Sequence, residues 1–543
     1  MNSLQPYEEL AKMLADAYIK ADVQAIREMN WKRGTSFVWD NEPEKMHQRL
    51  ANWYAAVYRT EELALHDARN MVARSYGFTD WEKLEAGLLE QAPDPRSVPV
   101  YRSVVPPFFL INWKENSISV NGPLSMQDWD KIFGVIEEQK LTRLNASEIS
   151  EAAMEQLPQQ LTQLSSGGIT DEGLLHLQRM PQLERLDLGN WHSVITDRGL
   201  EVLQHLKNLR LFEMVWAQRI TDTGMAHLAN CDLLERVNVL GTRTGDGLIK
   251  AMAGKKNLAH LTTGVAVTDE GIASLHQLPV FKTWQGGEVK FDTMSFSAEP
   301  NHLLMGGPIT DKGLAALAGL NGLVGLSFFG DGGRFTGKGL SSLAALPKLS
   351  FLGIDGKLCT DEAMEAIGGL PQLRMLMAQG TVATDDGFTA LARSRTIEYI
   401  WGRECENLRG RGFLALSTMP ALRGLAVSCK FVDEEVLSAL PRFPALKQFM
   451  PMDFTDAGFR HIGQCEQLEA IWCMYCRETT DLATEHLAGL KNLRSYYAGQ
   501  TLISNRSLEI LGKMISLEQV QLWNISGITN EGLVALKIGR AHV

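Results

Sequence analysis

Apolar residues recur along this chain in two alternating rhythms. Stretches of the form Leu-x-x-Leu-x-Leu, such as Leu183/Leu186/Leu188, Leu349/Leu352/Ile354, Leu422/Leu425/Val427 and Leu517/Val520/Leu522, put apolar side chains on alternate positions. That is the period of a short strand with one buried face. In the next rhythm, Gly173, Leu174, Leu177 and Met180 fall on one face of a helix, preceded by Ile169-Thr170-Asp171. A Thr or Asp at that point can cap the free amides of the first helical turn. The predicted unit is therefore one strand followed by one helix.

The unit repeats. Ile169-Thr170-Asp171-Glu172-Gly173-Leu174 returns as Ile195-Thr196-Asp197-Arg198-Gly199-Leu200 and as Ile220-Thr221-Asp222-Thr223-Gly224-Met225, the aspartates 26 and 25 residues apart. Further copies centre on Asp269, Asp311, Asp361, Asp385, Asp433, Asp456, Asp481, Asn505 and Asn530, with eroded ones at Gly245, Gly337 and Gly410, giving fifteen units. One strand and one helix cannot bury their own apolar faces, so neighbours must stack. The array resembles leucine-rich repeats of the Thr-Asp-x-Gly-Leu type, found in many bacterial repeat proteins and in the cysteine-containing repeats of F-box receptors. The resemblance implies an α/β solenoid, a horseshoe with parallel strands on the concave side and helices on the convex side, over residues 166–536 with atypical capping repeats at 108–165.

Residues 1–91 follow another pattern. Tyr7-Glu8-Glu9-Leu10 opens one helix and His66-Asp67-Ala68-Arg69 a second. In Tyr76-Gly77-Phe78-Thr79-Asp80-Trp81, Gly77 suits a left-handed C-cap and Thr79 or Asp80 an N-cap. Phe78, Trp81 and Leu84 would form a small core. This stretch resembles a helical module that precedes ankyrin and other repeats in bacterial proteins, which implies a small all-α adaptor domain without catalytic residues. Prolines at 93, 95, 99, 106 and 107 mark residues 92–107 as a linker. The final heptapeptide, residues 537–543, breaks the pattern and matches a translated sequencing-library adapter, so it is expected to be a non-native tail.

Composition narrows the class of partner. A net charge of -11 with no Lys/Arg block argues against nucleic acid or an anionic membrane surface. The N-terminus carries no secretory pattern and no apolar run is long enough to span a bilayer, so the expected location is the cytoplasm. Seven cysteines do not suggest a disulfide framework. Cys473-x-x-Cys476 could be a redox pair or half a zinc site, but in register Cys473 is a strand residue and Cys476 a turn residue. Cys231, Cys359, Cys405, Cys429 and Cys465 also fall on repeat positions, where a buried thiol serves as a small apolar group. His176, His205, His227 and His461 lie on different predicted helices and read as solvated. Repeated Thr-Asp pairs fit helix capping better than calcium binding, and the glycines at 330, 332 and 333 lack a phosphate-loop pattern. No catalytic set assembles and no cofactor is expected.

The repeat register also identifies the strand positions that face away from the helices. Early units place Arg185, Asp187, Glu213, Arg236, Asn238 and His260 there, a polar surface. Later units place Phe351, Met375, Met377, Tyr399, Trp401, Arg403, Met450, Met452, Trp472, Met474, Tyr497 and Trp523 there. Aromatic residues, Arg and Met are the types that carry interface energy, so these twelve residues are expected to bind a protein or peptide partner. On that reading Trp401→Ala or Trp472→Ala removes about 1–4 kcal/mol of partner affinity and spares the fold. If the residues instead form a cross-strand ladder, the same changes destabilise the chain. An insertion at about 284–307, where 42 residues separate Asp269 from Asp311, carries Phe291, Met294 and Phe296. It is expected to follow a strand and emerge at one rim of the horseshoe. The function these features favour is a non-catalytic interaction scaffold. The alternatives are an F-box-like substrate receptor of a ubiquitin ligase and a small-ligand receptor or enzyme using the concave pocket.

Overall fold

A computed structural model of the 543-residue chain describes residues 4–32, 47–48, 50–51, 63–76, 78–89, 96, 99–103, 106–189, 193–287, 289–291 and 300–536. Gly77, residues 92–95, 97–98 and 104–105 of the Pro-rich linker, Met294, Phe296 and the 537–543 tail lie outside them. The chain divides into two compact units, Met1–Leu234 with Asn238–Thr242, and Glu235–Val237 with Arg243–Val543.

The first unit opens with the helices Gln5–Ile19, Val23–Lys32, Leu65–Ser75 and Trp81–Leu89. Tyr7, Leu10 and Leu14 recur at helical spacing and bury one face of the first helix in a cluster with Met71 and Val72 of the third. Leu84 joins that core fully, while Phe78 and Trp81 pack at its edge. Asp80 caps the last of these helices by accepting the Lys83 N–H at 2.9 Å, and a Glu8–Arg69 ion pair ties the first helix to the third. Three antiparallel strands follow, Val100–Arg102, Phe109–Asn112 and Ser117–Val120. The parallel array starts on the last of them and runs through Arg143–Ala146, Gln163–Ser166, Arg185–Asp187 and Leu211–Glu213.

In the second unit the strands His260–Thr262, His302–Met305, Gly325–Phe328, Phe351–Ile354, Met375–Met377, Tyr399–Gly402, Gly424–Ser428, Gln448–Met452, Ala470–Met474, Ser495–Gly499 and Gln519–Trp523 pair in chain order, all parallel. Between successive strands the chain returns through a short helix whose Leu, Phe or Ile side chains are fully buried, as at Leu314, Leu340, Phe388, Phe413 and Phe459. This is the leucine-rich-repeat solenoid.

The insertion departs from expectation. Residues 278–284 do not form a strand: Pro279 starts a short helix, Pro279–Lys282, and the strand of that repeat is His302–Met305. The inserted segment therefore precedes the strand. Proline lacks the N–H that strand pairing needs and its fixed φ suits the first turn of a helix, which explains the change.

The Thr-Asp-x-Gly signature does more than cap helices. Thr170 Oγ1 accepts the Gly173 N–H at 3.1 Å and so caps its own helix. Asp171 points forward, its Oδ1 accepting the Thr196 N–H at 2.8 Å and its Oδ2 the Thr196 hydroxyl at 2.6 Å. The same pair of bonds joins Asp197 to Thr221, Asp246 to Thr268, Asp269 to Thr310, Asp311 to Thr336, Asp361 to Thr384, Asp456 to Thr480 and Asp481 to Ser504. The glycine follows from this arrangement, because a Cβ on Gly199 would lie 2.5 Å from Asp171 Oδ1 and one on Gly339 2.4 Å from Asp311 Oδ1. The carboxylates are thus engaged by neighbouring repeats. The Asp269–Thr310 bonds hold this register across the insertion.

Candidate partner-binding site

The candidate site is the face of the sheet opposite the helices in the second unit. A strand sends alternate side chains to opposite faces. Leu352, Leu376, Ile400, Leu425 and Phe449 turn inward to the repeat core, and their neighbours turn outward. In-register pairing lines the outward residues up in rows across the strands. Phe351, Met375 and Tyr399 form one row; Met377, Trp401, Ala426 and Met450 form the next.

These rows are packed, which revises the expectation that the twelve residues project into solvent. Phe351, Met375, Tyr399, Trp401, Met450 and Met452 are buried in a single apolar cluster, with Ala426 among them. Met377, Trp472 and Met474 lie against it, partly buried. The small Ala426 leaves room for its large neighbours to lean inward. Trp401 and Trp472 stand three strand spacings apart, about 14 Å at the backbone, yet their ring centroids approach to 6.2 Å at 69°. Tyr497 continues the row, its ring 5.2 Å from Trp472. Arg403 is half-buried, its guanidinium 4.6 Å from the Tyr475 ring centroid and paired with Glu404 at 3.1 Å. Trp523 stands apart from the cluster at 49% exposure.

Part of the burial comes from the insertion. Phe291 is 8% exposed and belongs to the same cluster, and Val289 packs at its edge. Phe291 was legible as an apolar residue on a long excursion. The long-range contact that seats it on the sheet left no local signal in the sequence.

Charged residues border the patch. Arg374 pairs with Glu398, and Lys447 with Glu469 at 3.0 Å. Asp355, just beyond the Phe351–Ile354 strand, is pushed up to about 6 because burial disfavours its charge, although it accepts the Gln379 N–H. Toward the start of the second unit the outward residues are polar. His260 is lowered to about 4 by burial, with Arg236 and His302 adding repulsion, so its ring is neutral at pH 7.

The cysteines occupy interior positions. All seven are buried, and none is in a disulfide. Burial pushes the thiols of Cys359, Cys405, Cys465 and Cys476 up to about 12, and those of Cys429 and Cys473 well above the ordinary value. Cys476 donates to the Pro451 carbonyl at 3.0 Å, as a turn residue in the register would. Of the helix histidines, His205 is exposed and His176 and His227 are half-exposed, but His461 is buried at 7% exposure, contrary to the solvated reading. Its helix, Asp456–Ile462, turns that side chain toward the packed interior. Among the described residues no group of three or more His, Cys, Asp or Glu is placed to hold a metal ion, and no helix is long and apolar enough to cross a membrane.

No known family model matches the chain, and no curated protein does either. Similar solved structures include the Rad7–Elc1 complex of yeast, at 12% identity over 74% of this chain and 88% of that chain with a TM-score of 0.36. An internalin of Listeria monocytogenes is 14% identical over 72% of this chain and 87% of its own, with a TM-score of 0.28. A leucine-rich-repeat protein of Leptospira interrogans is 12% identical over 73% and 92%, with a TM-score of 0.36. The fold assignment rests on the repeat geometry described above.

Proposed function

We propose that this chain is a non-catalytic interaction scaffold, cytoplasmic and of bacterial type, that holds a protein or peptide partner on the sheet face between Phe351 and Tyr497. The observation that carries the reading is the cluster itself. A leucine-rich repeat is stabilised by its inward residues, so a second apolar layer on the opposite face is not required by the fold. Here that layer contains Trp401, Trp472, Tyr399 and several Met side chains, bordered by paired charges. An apolar centre with a polar rim is the usual anatomy of a recognition surface. The non-catalytic part is supported by the thiols, which burial holds protonated at neutral pH and so removes as nucleophiles. Seven thiols, none of them in a disulfide, also fit a reducing compartment.

The test uses Trp472→Ala combined with Met377→Ala, two partly buried positions. Proteins retained from a bacterial lysate by the intact chain are compared with those retained by this variant, with circular dichroism confirming its fold. The reading expects at least one stoichiometric protein to be retained by the intact chain and reduced tenfold or more with the variant. Equal retention by both, or retention of a small metabolite alone, overturns it.

A further inference from the structure

The seated insertion indicates what kind of partner this face accepts. Val289 and Phe291 both contact the apolar cluster, while Lys290 between them is exposed. Contacts at i and i+2 with the intervening residue facing water are the pattern of an extended segment. A helix would make contact at i and i+3 or i+4. The aromatic side chain is the deeper of the two, Phe291 being a buried member of the cluster and Val289 only partly buried against it. The Trp472 indole N–H is buried and has no hydrogen-bond partner. The seated residues 289–291 leave this donor unmet, and a backbone carbonyl that could meet it is the group that an extended peptide presents and a packed helix does not.

We propose that the stripe is a cleft for an extended peptide segment of the form apolar-x-aromatic, and that the chain's own Val289-Lys290-Phe291 occupies it as an internal ligand. This deepens the binding reading above and depends on it. The repeat-to-repeat bonds between Asp269 and Thr310 bypass the insertion, so the segment can leave the sheet without disturbing the stacking of repeats. Peptide recognition and self-occlusion then belong to one surface. A partner carrying the same spacing must displace the internal segment, whose tethering gives it an effective concentration on the order of millimolar. A free peptide that binds the empty cleft with a Kd of about 100 µM is therefore weakened by about tenfold in the intact chain.

The experiment uses the full chain, a Phe291→Ser variant, and a second variant in which residues 286–297 are replaced by a Gly-Ser linker. The probe is a fluorescein-labelled peptide of residues 284–291, with a control peptide carrying Ser in place of both Val289 and Phe291. Binding is read by anisotropy, and exposure of the stripe by the fluorescence of an apolar dye. The expected result is peptide binding about tenfold tighter to the variants than to the intact chain, severalfold higher dye fluorescence that the peptide reverses, and no binding of the control. Equal peptide affinity for all three chains, binding of the control peptide, or no binding to either variant overturns the proposal. If Phe291→Ser fails to fold, the linker variant decides alone; failure of that variant to fold makes the segment a structural element and also overturns the proposal. A negative outcome here combined with a Trp472-dependent partner in the retention test rejects the internal ligand and leaves the scaffold reading standing. Negative outcomes in both reject the two together.

Discussion

The strands Arg185–Asp187 and Leu211–Glu213 in the first unit and Met375–Met377 and Tyr399–Gly402 in the second are built on the same frame, yet they present opposite surfaces. In both regions an inward Leu, Phe or Ile is fully buried, and the Thr-Asp-x-Gly lock joins neighbouring repeats, as at Asp171–Thr196 and Asp361–Thr384. The outward positions differ. Arg185, Asp187 and Glu213 stand half-exposed, while Met375, Tyr399 and Trp401 are buried in a second apolar layer. The difference teaches that the frame tolerates either surface, because the inward residues and the lock are common to both regions whatever stands outward.

The comparison breaks most visibly at Trp401. Truncation to Ala empties a packed site and should lower stability by about 3–5 kcal/mol, seen as an earlier urea midpoint. An unchanged midpoint would mean that the second layer contributes nothing to folding. The expectation from sequence that Trp401 and Trp472 behave alike is thereby split, since Trp472 is only partly buried and its loss should appear mainly in partner retention.

The shared lock provides the next contrast. Gly339→Ala in the second unit and Gly199→Ala in the first each force a Cβ onto an aspartate of the preceding repeat. Both should destabilise by roughly 1–3 kcal/mol, with faster amide exchange at Thr336 and Thr196 respectively. A large loss in one unit and none in the other would show that the lock is not common to both.

A smaller effect sharpens the chemistry of the lock. Asn505 already fills the aspartate position, its Oδ1 accepting the Thr529 N–H at 2.9 Å and its Nδ2 donating to the Thr529 hydroxyl at 2.9 Å. Asp311→Asn should therefore cost less than about 1 kcal/mol. It should also remove a pH dependence. The Thr336 N–H, followed by the Thr336 hydroxyl and the Gly339 N–H, holds the Asp311 carboxyl below its ordinary value of 3.8, against the opposing effect of burial. A depressed folded pKa means that the stabilisation is complete above about pH 4 and fades as pH falls further through the folded value. Urea midpoints measured from pH 5 down to pH 2.5 should fall less steeply for the variant than for the parent. Identical slopes would contradict this assignment.

The smallest effect belongs to the polar face. Arg185 meets Asp187 only at 4.0 Å and remains partly exposed, so Arg185→Ala should shift stability by no more than about 0.5 kcal/mol. A loss approaching that of Trp401→Ala would erase the distinction between the two regions.

Much of this molecule was legible from residue order. Two periods, 2 within the strands and 3.6 within the helices, specified strand-helix units, and the recurrence of Thr-Asp-x-Gly specified their stacking. The repeat register sorted Cys473 and Cys476 into interior strand and turn positions and showed which strand residues face away from the helices. These inferences worked because they concern neighbours along the chain or in the adjacent repeat, where spacing in sequence translates directly into position. Three features needed the tertiary structure. The aspartate's bond to the threonine about 25 residues onward looks like local capping in the sequence, because Thr and Asp can serve either role. His461 reads as a surface residue until its helix is seen to turn it inward. The burial of Phe351, Tyr399 and Trp401 depends on side chains leaning across several strands and on Phe291 returning from an insertion. Such contacts are set by packing in space rather than by any period, so the sequence alone determined the frame and only the tertiary structure decided that its apolar face is already occupied.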